Sequence, residues 1–132
     1  MRRSFLDPLL GADASSLVLT NSRTHQIVAQ TLLKAFDSGS RRRGLLGRDS
    51  LAGDTALIIA PSNAIHTFSM RFAIDVAFVS TDGRVIKVRP AIPPWRIAAA
   101  WRGFAVIEMA AGAFEKSDTR AGDVLRLTPA GS

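Results

Sequence analysis

The stretch DVAFVSTDGRVIKV, Asp75 to Val88, decides the fold. Two runs rich in valine, isoleucine and phenylalanine flank Thr81-Asp82-Gly83. An Asp-Gly pair supplies the positive φ that a tight hairpin turn needs, so the stretch predicts a β-hairpin. Upstream, the apolar run continues back as IHTFSMRFAIDVAF, Ile65 to Phe78, interrupted by His66, Arg71 and Asp75. As one extended strand it would put His66, Phe68, Met70, Phe72, Ile74, Val76 and Phe78 on one face, and Thr67, Ser69, Arg71, Ala73, Asp75 and Ala77 on the other. Arg71 and Asp75 would then stand about 13 Å apart along the strand. A bend near Phe72-Ala73 would bring them together and carry the chain from one sheet to another.

Working outward, SLVLTN and HQIVAQTLL read as strands joined by a turn at Asn21-Ser22-Arg23. In DSGSRRRGLLGRDSL, Ser38 or Ser40 is expected to cap one short helical turn that Gly44 or Gly47 ends. TALIIA, FAVIEM and VLRLT read as further strands. Pro90, Pro93 and Pro94 mark a connection, whose end RIAAAW has the composition of one helical turn. AAGAFEKSDTRAGD reads mostly as turn. Many short strands and almost no helix predict an all-β fold, a compact β-sandwich or a jelly-roll-like barrel, with one short helical turn and a Pro/Trp loop. The expected division is a flexible arm over 1–15, one β domain over 16–128 and a tail over 129–132.

Composition narrows the chemistry. The 132 residues include no cysteine, which excludes disulfides, thiolate zinc sites and a thiol nucleophile. The formal charge is +6, from fourteen arginines and three lysines against eleven acids. No apolar run approaches the roughly 20 residues that span a bilayer. Arg2-Arg3 before Phe5-Leu6 resembles the start of an export signal, but Asp7, Pro8 and Asp13 break the apolar region that should follow, so a cytoplasmic location is expected.

Glu108 shares a strand face with Phe104 and Val106, so its carboxylate is expected at a pocket wall or buried beside a partner, with Arg71 a candidate. Asp75 and Glu108, if they face one cavity, would form a general acid/base pair. His25, His66, Asp75 and Glu108 have no short metal-ligand spacing, and no metal or cofactor is expected. Arg41, Arg42, Arg43 and Arg48 are anion-binding candidates through their guanidinium groups. The pairs Trp95-Arg96 and Trp101-Arg102 suit base stacking or a lipid interface, and equally a loop that closes over the sheet with its indoles.

The order RGLLGRDSL, IHTFSMRFAIDVAFVSTDGRVIKV, PPW, VIEMAAG, AGDVL resembles the bacterial and archaeal family called domain of unknown function 192, over roughly residues 23 to 128. The resemblance implies a compact β-sandwich or jelly-roll-like domain without an assigned activity. It matches Arg43-Gly44-Leu45, Arg48, Met70, Asp75, Glu108, Gly112, Gly122 and Asp123 to the family pattern. Leu46 stands where many members carry Met, and TALIIA and HTFSM also depart from the pattern, which argues against a Met-rich soft-metal site.

The resulting expectation is non-catalytic binding of a small ligand, peptide or protein partner near Met70–Asp75. Arg71 would fix an anion, Asp75 and Glu108 would orient it, and Met70, Trp95 and Trp101 would supply apolar contact. One alternative is a metal-independent hydrolase or lyase using Asp75 and Glu108. Another is a basic module for RNA or anionic membrane using Arg41 to Arg43 and the Trp-Arg pairs, nucleic acid being possible but not favoured.

Overall fold

The computed structural model describes residues 3–11 and 13–131. Arg2 of the N-terminal arginine pair and the last tail residue, Ser132, lie outside these residues. Ten strands run in chain order: β1 Leu17–Asn21, β2 Ile27–Ala29, β3 Thr31–Ala35, β4 Thr55–Ile59, β5 Ala64–His66, β6 Ile74–Val79, β7 Val85–Ile92, β8 Ile97–Ala99, β9 Ala105–Ala110 and β10 Leu125–Pro129. Among the described residues three short α-helices and one 3-10 turn, Ala14–Ser16, accompany them: α1 Asp7–Leu10, α2 Ser38–Arg43 and α3 Ala113–Lys116.

A five-stranded sheet of order β3-β4-β9-β6-β7 is the central layer, mixed because β3 and β4 run parallel. Both its faces are covered, so its inner strands alternate between two apolar cores rather than between core and water. On β9, Ala105, Ile107 and Met109 face the three-stranded sheet β10-β1-β2 together with Leu19, Leu125 and Phe114. Val106 faces the other way with Leu57, Ile59, Val76 and Phe78, where Leu45, Leu51, Met70, Ile92 and the β5–β8 ribbon cover the sheet. The architecture is an all-β sandwich, and its sheets do not close into a barrel.

The decisive hairpin forms as read: β6 pairs with β7 across a turn where Gly83 has φ +89. A Cβ on Gly83 would lie 2.4 Å from the Leu125 carbonyl oxygen, so close approach as well as the turn demands glycine there. β7 is an edge strand, which is why it can run through Pro90.

Several expectations are corrected. Ile65 to Phe78 is not one strand, since β5 stops at His66 and β6 begins at Ile74. RIAAAW contributes strand β8 rather than a helical turn, because its backbone completes the ribbon with β5. The single expected helical turn is α2, but Asp37 is its cap, accepting from the Ser40 N–H at 2.7 Å, and Gly44 ends it. α3 lies within the segment read as turn. The segment expected as an arm contains α1, and Leu6 and Leu9 are buried in the first core.

Candidate functional site

Asp75 and Glu108 lie on neighbouring central strands but on opposite faces. In the β6–β9 register Asp75 stands opposite Met109, whereas Glu108 stands opposite Val76 and, across its other edge, Leu57. Asp75 therefore points to the side of the three-stranded sheet. Its Oδ1 accepts the Ala91 N–H at 2.8 Å and its Oδ2 the Phe114 N–H at 3.1 Å. Ala91 has φ +48 where Pro90 and Ala91 bulge against β6, and Phe114 is in the first turn of α3. Asp75 is thus a buried anchor that ties β7 and α3 to β6.

Glu108 has the opposite character. Its side chain is 4% exposed, its in-register neighbours are apolar, and among the described residues its carboxyl makes no hydrogen bond or ion pair. Burial pushes its pKa up from 4.5 to about 7. No side-chain oxygen or nitrogen among the described residues is both sealed and unpartnered, so the Glu108 carboxyl reaches open space. That space is a cleft of about 300 Å³ between the arginine turn of α2 and strand β5. Ile59, Ile65 and Met70 line it with apolar surface, while Arg41, Arg42, Arg43 and His66 contribute cationic and imidazole groups. The Arg41 guanidinium is tied to the Phe36 carbonyl at 2.8 Å, whereas Arg42 and Arg43 are exposed. A wider hollow of about 410 Å³ near Ser62 and Thr81 has Arg102 as its sole charged lining residue. The Glu108 cleft is smaller but is the hollow in which a buried acid faces several cations.

The other residues singled out from sequence separate. Arg71 pairs with Asp49 at 2.7 Å on the surface, not with Asp75 or Glu108. Its segment, 67–73, is a loop whose path strand periodicity cannot give. Arg48 borders a different hollow with Lys34 and Arg43. Trp95 and Trp101 are outward, at 64% and 83% exposed, so the indoles do not close over the sheet. The geometry unites Met70, Glu108 and Arg41 to Arg43, and leaves Arg71, Asp75, Trp95 and Trp101 outside the cleft. His66, weighed from sequence as a metal ligand without the spacing for it, is the last residue of β5 and also borders the cleft. Among the described residues no three His, Asp or Glu side chains converge to hold a metal ion.

Asp123, near the C-terminal end, is structural. Its carboxyl is held well below the usual carboxylate range, first by Arg23 at 2.6 Å, then by Asn21 and the Arg120 N–H. This network joins the end of β1 to the loop before β10.

Together these features define an all-β sandwich whose central sheet carries one anchoring acid and one unpartnered acid under a cation-rimmed cleft. The chain belongs to the domain of unknown function 192 family, described as an uncharacterized ACR, whose model matches residues 18–127. Among curated proteins none matches it. Two solved structures share its fold. A protein of unknown function from Novosphingobium aromaticivorans DSM 12444 has a TM-score of 0.72 at 19% identity, over 84% of this chain and 83% of that one. A protein from Sinorhizobium meliloti 1021, described as a candidate transcription regulator, has a TM-score of 0.73 at 20% identity, over 92% of this chain and 100% of that one. No helix among the described residues is long and apolar enough to cross a membrane.

Proposed function

We propose that this protein binds a small ligand, without catalysis, in the cleft above Glu108. The observation that carries the reading is a carboxyl that is almost wholly buried, has no partner and opens onto that cleft. An unpartnered buried acid is costly to the folded state, and a ligand that donates a hydrogen bond to it relieves the cost. The cations at the rim select an anionic group at the ligand's other end, and Ile59, Ile65 and Met70 favour an apolar stem between the two. The ligand class is therefore a small amino carboxylate. A catalytic reading built on Asp75 and Glu108 has no support from their geometry, because one sheet separates them and both Asp75 oxygens are engaged by backbone.

The test is a thermal-shift screen of aliphatic α- and ω-amino carboxylates against wild type and Glu108→Gln. A ligand at about 100 times its Kd stabilises the native state by about 2.7 kcal/mol. A compound that raises the wild-type melting temperature and loses most of that effect in Glu108→Gln supports the reading. A panel with no stabilising member, or an undiminished shift in the variant, removes it.

A further inference from the structure

We propose that the outward face of the β5–β8 ribbon, with its flanking loops, docks on an anionic lipid surface; this stands apart from the ligand reading of the cleft. Ile65 and Ala98 pair in register and pack toward the core, which turns the neighbouring pair, His66 and Ile97, outward. Phe68 stacks on His66 at 4.9 Å and on Trp95 at 5.8 Å, extending this face into the loops. Phe68, Trp95, Ile97 and Trp101 are 38%, 64%, 66% and 83% exposed, and are four of the seven large apolar side chains exposed among the described residues. An accumulation of this kind marks an interaction surface, whereas single exposed residues need no explanation.

The display is built in. Trp95 has φ +68, a conformation a bulky side chain rarely adopts. It is held by its N–H bond to the Thr67 carbonyl at 3.0 Å. The buried Thr67 hydroxyl donates to the Pro93 carbonyl at 2.7 Å and accepts from the Arg96 N–H at 2.9 Å, fixing the loop on both sides.

Charge identifies the occupant. Residues 61–74 and 85–103 contain no acid and carry Arg71, Lys87, Arg89, Arg96 and Arg102; Arg71 is paired with Asp49, and the other four cations have no ion pair among the described residues. Lys87 reaches the Ala99 carbonyl at 2.9 Å, and the Arg102 guanidinium lies 5.4 Å from the Trp101 ring centroid. Indoles beside guanidinium groups suit the headgroup level of a bilayer, where the ring is half in apolar surroundings and the cation meets lipid phosphate. A second copy of this chain would bring the same positive charge against itself. Lipid is favoured over nucleic acid because Ile97, 66% exposed on the ribbon, has no π-face to offer a base, whereas an acyl layer accepts it as readily as the indoles.

The chain has two tryptophans and no tyrosine, and both tryptophans are exposed in the segments flanking β8, so its intrinsic emission reports on docking. The experiment compares vesicles of phosphatidylglycerol and phosphatidylcholine in equal parts with vesicles of phosphatidylcholine alone, at low salt. Sedimentation with the anionic vesicles, a blue-shifted emission and quenching by brominated acyl chains are expected. Arg96→Ser and Arg102→Ser each weaken binding about fivefold, the equivalent of about 1 kcal/mol per cation at such a surface. Trp95→Ala/Trp101→Ala, in exposed positions and with an unchanged melting temperature, loses sedimentation. No sedimentation, sedimentation without quenching from the acyl chains, or emission that responds to single-stranded RNA and not to vesicles overturns the proposal.

Discussion

Glu108 has a direct signature in stability. Its carboxyl titrates near the ordinary 4.5 in the unfolded chain and about 7 in the folded one. Below the lower value both states are protonated and the group makes no difference. As pH rises through the window the unfolded state sheds its proton first, so stability falls, and above about 7 the folded state carries the whole cost, on the order of 3 kcal/mol. Glu108→Gln should flatten this fall, which urea unfolding at about pH 5 and about pH 8 measures through the midpoint. Equal pH dependence in the two proteins would show that another group is responsible. The burial of Glu108 is legible from Val106 on the same strand face, whereas Phe104, just before β9, packs against the core on the opposite side. The lack of a partner for Glu108 is not legible, because the expected cation, Arg71, lies in a loop that takes it to Asp49 instead.

Asp75 acts on three elements at once. Asp75→Ala leaves the N–H groups of Ala91 and Phe114 buried or half-buried without acceptors, in a bulge of β7 and the first turn of α3. At about 1–3 kcal/mol for each lost acceptor, a loss of roughly 2–6 kcal/mol is expected in denaturant unfolding. A change under about 0.5 kcal/mol, the scale of an ordinary surface substitution, would contradict the anchoring role. At this scale sequence and structure agree best where local chemistry dictates the backbone, as at Asp82-Gly83 and in the arginine turn. Agreement fails where pairing decides. RIAAAW is strand because Ala64–His66 lies alongside it, and that neighbour is over thirty residues away in sequence. The two acids likewise separate because β6 and β9 pair with Val76, not Asp75, opposite Glu108.

For the molecule as a whole, the N-terminal segment is part of the core. Leu9 is wholly buried beside Leu6 in the layer between the two larger sheets. Leu9→Ala should cost about 2–5 kcal/mol by calorimetry or urea unfolding, whereas a segment that packs only loosely would lose much less. Nothing in residues 1–15 has a strand or helix period, so this burial is decided by tertiary packing and could not be read in advance. The order β3-β4-β9-β6-β7 also has a consequence for synthesis. The strand at the centre of the sheet is nearly the last to be made. A nascent chain can form the β6–β7 hairpin locally, but β4 and β6 must wait for β9 before their facing edges are joined. β1 in turn gains its partner β10 only when residues 125–129 emerge. Until then the chain presents two unfinished half-sheets to its surroundings, and synthesis of residues 105–129 is the interval in which misassembly must be avoided.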